Sequence, residues 1–416
     1  MTSSPRRVAP TLVAGGVLVA LVAVLLVWQR PWAGGDEGAP SGGGDLESRL
    51  RAQLTASSDA SDASAWSAGF GPGGRELGQA SWAARQALGV DDVTMTLVSL
   101  GDAPDRGDGT RSAVVRVRWT SADDALLGRA DEATATVVAR VRAADGADES
   151  AGVDVLGVEA STGTTTPDPL PLWLAGEVTV AGTPEVALVT VGGDGPGVPE
   201  AAALTATAQT RVSALVGATG RSAVIVPANE QTASALLGRG PAGLGAVAGV
   251  TTRLPGSSDP VVVLNPAEFE RMDARGRQIV VTHELTHAMT DAISTSAETW
   301  LVEGFADWVA LHDDTAPLTT SAGAALFAVT QSGPPAALPT SDDLAGAGSA
   351  AAYQGAWLAV DVLGREHGGD AAVLQVYAAA LGGTPIDQAL AGVGTSVAEL
   401  TQQWRDYLTY SASTVS

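Results

Sequence analysis

Four stretches of the chain alternate apolar and polar residues as half-buried strands do: "VTMTLVSL" from Val93, "AVVRVRW" from Ala113, "ATVVARVR" from Ala135 and "VDVLGVEA" from Val153. A period of two puts Val115, Val117 and Trp119 on one side and Arg116 and Arg118 on the other. Two helical segments precede them, "LESRLRAQLTA" from Leu46 and another around residues 80–88. Helices followed by a run of antiparallel strands predict a small α+β domain over residues 46–165. The Thr- and Pro-rich "TGTTTPDPLP", residues 162–171, marks its boundary.

Beyond the boundary the pattern changes. "VALVTV" from Val186, "SAVIVP" from Ser222 and "VVVLN" from Val261 are short apolar runs of strand type. Between them lie a helix over "VPEAAALTATAQTRVSALVG", opened by Pro199, and a second near Thr232. "AGVTTRL", from Ala248, is expected to form an edge strand that an extended peptide can join by β-addition. The remainder is helical, with helices from Asp370, near Pro385 and from Ser396, the last opened by a Ser396–Glu399 capping box. Residues 172–416 are therefore expected to form one domain with a mixed sheet and a helical C-terminal half, making the chain α+β overall.

The first residues differ from both. After Arg6 and Arg7, the run from Val8 to Trp28 carries no charge. At about 1.5 Å per residue it is long enough to span a hydrocarbon core of roughly 30 Å. The expectation is a cytoplasmic tail at 1–7, a transmembrane anchor at 8–28 and a flexible linker at 29–45, with the rest of the chain outside the cell; a cleavable signal peptide is the rival reading. Trp28 and Trp32 stand where interfacial aromatics are found.

Composition narrows the chemistry. The chain has 416 residues, a net charge of −23 and no lysine, so it would repel phosphate backbones, which argues against nucleic acid as a partner. It has no cysteine, which excludes disulfides and thiolate sites; any metal must be held by His, Asp or Glu.

One such set stands out. "THELTHAM", residues 282–289, holds two of the four histidines and falls in a helix expected from about Arg277 to Ile293, after a helix begun at Asn265-Pro266 and interrupted at Gly276. At about 100° per residue, His287 lies only about 40° round from His283, so both rings can meet one small ion. Glu284 is too far round to be a ligand and is placed to act as general base toward a water at that ion. A third ligand follows in "ETWLVEGFADWVALH", from Glu298 to His312, a helical segment in which Glu303 and Asp307 share a face. Residues 290–299 allow the chain to turn so that the two helices pack, with Gly304 permitting close approach. Two histidines and a glutamate with a fourth position open is an arrangement of catalytic zinc. Asp307 can accept the second ring N–H of His283. His312 and His367 are expected at the surface.

The pair of motifs resembles the gluzincin metallopeptidases, and the downstream pattern looks like their peptidase MA-like group, most specifically over residues 261–307. Residues 46–165 resemble the cystatin-like or nuclear-transport-factor-like modules attached to exported enzymes. The first resemblance implies a zincin-like domain holding one Zn²⁺ through His283, His287 and Glu303. It also implies Glu284 as general base, Asp307 as the acid supporting a ligand, and a peptide or protein substrate. Tyr353 opens what looks like the helix after the zinc site, where a tyrosine often donates to the oxyanion; Tyr353 and Trp357, four apart, equally make a core-facing aromatic pair. Aminopeptidase members carry a Gly-x-Met-Glu-Asn stretch that is absent here, which favours an endopeptidase. The expected protein is a membrane-anchored, extracytoplasmic zinc peptidase. The alternative is a non-catalytic cell-envelope binding or scaffold protein with a zincin-like fold.

Overall fold

Three helices, α1 (Gly44–Ser58), α2 (Ala63–Ala68) and α3 (Arg75–Leu88), lead into an antiparallel meander of four strands. These are β1 (Val90–Leu100), β2 (Arg111–Ser121), β3 (Ala130–Ala143) and β4 (Val153–Ala160). The structure, a computed structural model, describes residues 44–101, 109–122, 124–144, 152–161, 168–193, 198–217, 220–239, 243–346 and 348–415. The alternation in β2 sets which side faces inward: Val115, Val117 and Trp119 are buried, and Arg116 and Arg118 are exposed. The register pairs Val115 with Val137 and Val117 with Ala135, so apolar side chains meet on the helix-covered face.

The second sheet has five strands in the order β5-β6-β7-β9-β8: β5 (Val178–Gly182), β6 (Val186–Val191), β7 (Ser222–Pro227), β8 (Gly249–Thr252) and β9 (Val261–Leu264). Strands β6, β7 and β9 run parallel, and β5 and β8 close the edges antiparallel. The central strands are near-continuous apolar runs because both of their faces are covered. Val186, Leu188, Val224, Val262 and Leu264 pack into the helical half. Their alternates, Ala187, Val189, Ile225, Val261 and Val263, belong to the same core as the meander sheet.

That shared core has residues on both sides of the expected boundary at 162–171, of which 162–167 lie outside the described residues. Leu170, Leu172, Trp173 and Leu174 are all buried. The Trp173 ring stands 6.1 Å from that of Trp66 and 5.9 Å, edge-on, from that of Trp119. The β8–β9 connection leans on the meander as well: Asp259 N–H donates to Leu127 O at 3.2 Å. Gly256, at φ +79°, lies where a Cβ would come within 2.4 Å of Trp119 Nε1.

The helical half begins with α4 (Val198–Val216) and α5 (Glu230–Leu236), which connect the strands. After β9 come α6 (Pro266–Phe269), α7 (Ala274–Met289), α8 (Thr299–Leu311), α9 (Leu318–Ser321), α10 (Gly323–Ser332), α11 (Ser341–Ala345), α12 (Ser349–His367), α13 (Asp370–Leu381), α14 (Ile386–Ala391) and α15 (Val397–Val415). Helix α7 lies against the sheet, α8 packs on α7, and α12 packs on α8.

One part of the expected architecture is corrected. The anchor at 8–28 falls outside the described residues, and among those described no helix is long and apolar enough to cross a membrane. The three helices of 19 residues, α4, α12 and α15, are interrupted by charged and amide side chains. The α+β description stands, and the single-pass membrane placement with an extracytoplasmic domain is not retained.

Candidate metal centre

Asp273 starts α7, its Oδ1 accepting the Gly276 N–H at 2.7 Å. Gly276 therefore lies in the first turn of this helix and does not interrupt one, while the Asn265-Pro266 start supports only the single turn of α6. From Ile279 to Met289 every residue of α7 is buried. A helix buried all round must satisfy its polar side chains internally. The hydroxyls of Thr282 and Thr286 do so by donating one turn back, to Gln278 O at 2.8 Å and Thr282 O at 2.7 Å. After α7 the chain reverses through Asp291, at φ +52°, and a short 3₁₀ turn (Ala292–Ser294) before α8. Arg253, at the end of β8, braces this reversal by donating to Asp291 at 2.6 Å and to Ser294 Oγ at 2.8 Å.

The reversal brings Glu303 onto the two histidines. His283 Nε2 and His287 Nε2 are 3.0 Å apart, and each is 3.3 Å from Glu303 Oε2. A tetrahedral ion with bonds of about 2.0–2.1 Å has ligand–ligand edges of roughly 3.3–3.4 Å, so these three atoms form nearly one face of such a tetrahedron. All three residues are buried, and the group could hold a metal ion. The donor atoms fit that role chemically: among the described residues no hydrogen bond reaches Glu303 Oε2, a buried oxygen that an ion would satisfy.

Asp307, one turn beyond Glu303, meets the other side of His283, with Oδ1 2.6 Å from Nδ1. The carboxylate thereby fixes the tautomer that turns the Nε2 lone pair toward the shared point. In the metal-free protein, burial opposes charge on His283. The Asp307 charge and hydrogen bond, with help from Glu303, outweigh burial and push the imidazole well above its ordinary value. For Glu303, burial alone would raise the carboxyl. The charges of His287 and His283, whose ring nitrogens each stand 3.3 Å from Oε2, hold it down to about 2.

Glu284, next to His283 in the chain, is not part of this triangle. Its side chain has no exposed surface. The Thr251 hydroxyl on β8 lies 2.6 Å from Oε2, and Oε1 is buried with no hydrogen-bond partner among the described residues.

Gly304 differs in role from the sequence expectation. A Cβ there would stand 2.3 Å from Ala356 O, so the glycine admits the backbone of α12, not that of α7. Tyr353, on α12, is buried and lines a small cavity with Arg275, Ile279, Asp307 and Trp357, on the Asp307 side of the ligand group. His312 is partly covered by the ring of Trp308, and His367 bonds to Gln403 at 2.8 Å. Neither belongs to the ligand group.

Two nearby residues had no signal in the sequence. Thr251 is one. Tyr377 on α13 is the other: its ring stacks on Phe305 at 3.5 Å and its hydroxyl lies 3.1 Å from Thr290 Oγ1. Burial, assisted by the Glu303 charge, raises its pKa, so the phenol stays protonated. Both come to the site from strands or helices distant in the chain, and no local spacing announces them. No protein-family model matches this chain, and no curated protein sequence matches it.

Proposed function

We propose that this protein is a zinc-dependent peptidase of gluzincin type, with His283, His287 and Glu303 as ligands and Glu284 as general base. The observation that carries this reading is the second carboxylate. A metal held only for structure needs its ligands and their supports, whereas Glu284 is a buried acid next to the ligand group that contributes nothing to it. Two imidazoles and one carboxylate suit Zn²⁺ with a coordination position left over. When bound, the ion would acidify a water and polarise a scissile carbonyl.

The rest of the chemistry falls to the chain. Glu284 Oε1 has its lone pairs unclaimed and takes the proton from the attacking water, then passes it to the leaving amine. Asp307 keeps His283 in the ligating tautomer through the reaction. The substrate is a peptide or protein segment in extended form, paired along β8, an edge strand whose Thr251 touches the general base. Tyr353, the oxyanion donor that the resemblance implies, lines the cavity on the Asp307 side of His283, away from the Nε2 face, and is not assigned that role. The missing Gly-x-Met-Glu-Asn stretch favours internal cleavage over removal of N-terminal residues.

Burial favours a second reading, a closed metal site in a non-catalytic binding or scaffold protein, since Glu284 and His283 have no exposed surface. One comparison separates the two. Under the peptidase reading, Glu284→Gln keeps one zinc per chain and loses roughly 10²–10⁴-fold in cleavage of a peptide library. Chelator abolishes wild-type cleavage and added zinc restores it. Wild type and Glu284→Gln cleaving equally, or a zinc-loaded wild type that cleaves nothing, would establish the second.

A further inference from the structure

We propose that Thr251 is the positioning residue of Glu284, selecting which of its two carboxylate oxygens is presented as the base. The proposal rests on the peptidase reading above. Thr251 Oγ1 lies 2.6 Å from Glu284 Oε2 and 2.9 Å from the main-chain oxygen of the same residue. A hydroxyl has one proton to donate. The shorter contact has the length of a charge-assisted O–H···O⁻ bond, so the proton goes to the carboxylate. With Oε2 occupied, Oε1 is the oxygen left with free lone pairs.

The strand fixes where that hydroxyl stands. Thr251 pairs with Val262 of β9, a strand enclosed within the sheet, so its position is set by the main-chain register. Its branched side chain is stiff at χ1. It is buried, as is Glu284, so water does not compete for the bond. Gly249, two residues earlier on the same face, completes the arrangement. A Cβ there would lie 3.0 Å from Glu284 Cγ and 3.3 Å from Val280 Cγ1, so a side chain would press on the glutamate that Thr251 holds. Strand β8 thus serves the general base at two points, one attractive and one left open.

The test compares Thr251→Val, which keeps the branched shape and removes the hydroxyl, with Thr251→Ser, which keeps the hydroxyl. Both are made in the full chain. Loss of a hydrogen bond to a charged group predicts a fall in kcat of roughly ten- to a hundredfold for Thr251→Val, with KM and zinc content unchanged. Thr251→Ser recovers most of the rate. Crystal structures of the zinc-loaded variants give a readout independent of turnover: the Glu284 carboxylate turns away from its wild-type orientation in Thr251→Val and keeps it in Thr251→Ser. An unmoved carboxylate in Thr251→Val, or equal loss in both variants, overturns the positioning role. If Thr251→Val does not fold, Thr251→Ala set against Thr251→Ser makes the same comparison. A Glu284→Gln protein as active as wild type would instead remove the general base, a distinct failure.

Discussion

At the residue scale, the Asp307–His283 contact governs competition between protons and metal. Asp307 and Glu303 favour the charged imidazole in the metal-free protein, overcoming the cost of burying it. A raised histidine pKa stabilises the metal-free fold below the ordinary value of 6.5, and that contribution is lost as pH rises through the folded value. Metal binding has the opposite sign, because the ion needs the neutral ring. Apparent zinc affinity should therefore climb through the neutral range, by about tenfold per pH unit for one displaced proton. Zinc titrations against a competing chelator across that range will measure the slope; a flat profile would contradict the coupling. Asp307→Asn removes both the orienting charge and part of the proton affinity. Its expected effect is a 10–100-fold loss of zinc affinity with a shallower pH slope.

At the element scale, the contact of α8 with α12 depends on Gly304. Alanine is intrinsically better in a helix by about 1 kcal/mol. Here its Cβ would fall 2.3 Å from Ala356 O and 2.6 Å from Ala356 C, backbone atoms that cannot turn aside. Overpacking of this kind costs roughly 1–3 kcal/mol and sometimes more, so Gly304→Ala should lower the thermal midpoint and loosen the helix that carries Glu303. An unchanged midpoint and unchanged zinc affinity would refute this. The same helices show what pattern alone can convey. β4, β6 and β7 follow the expected segments because apolar runs and alternation are local signals. β5 carries no such signal, being a short edge strand with only Val178 buried. The His283–His287 pair was legible because four residues make one helical turn, and Glu303 because its helix lies just beyond the reversal. Thr251 was not, since it reaches Glu284 from 33 positions away. Gly304 was legible as a site of close approach, but its partner helix was not.

At the scale of the whole molecule, the two sheets share one apolar core. One face of the five-stranded sheet is packed by the meander unit, with Trp173 between Trp66 and Trp119. A fragment beginning at residue 172 would expose Val189, Ile225, Val261 and Val263 to water. Such a patch drives aggregation. The fragment should be insoluble or unfolded, and residues 44–415 should melt in a single calorimetric transition; a soluble, zinc-binding fragment would show the meander to be dispensable. The burial of the ligand group bears on kinetics too. His283 has no surface and His287 almost none, so a chelator could approach a bound ion only from the side that the three protein ligands leave open. Full release would require α7 and α8 to part so that the buried ligands let go, and the pace of demetallation at saturating chelator then becomes a clock for that opening.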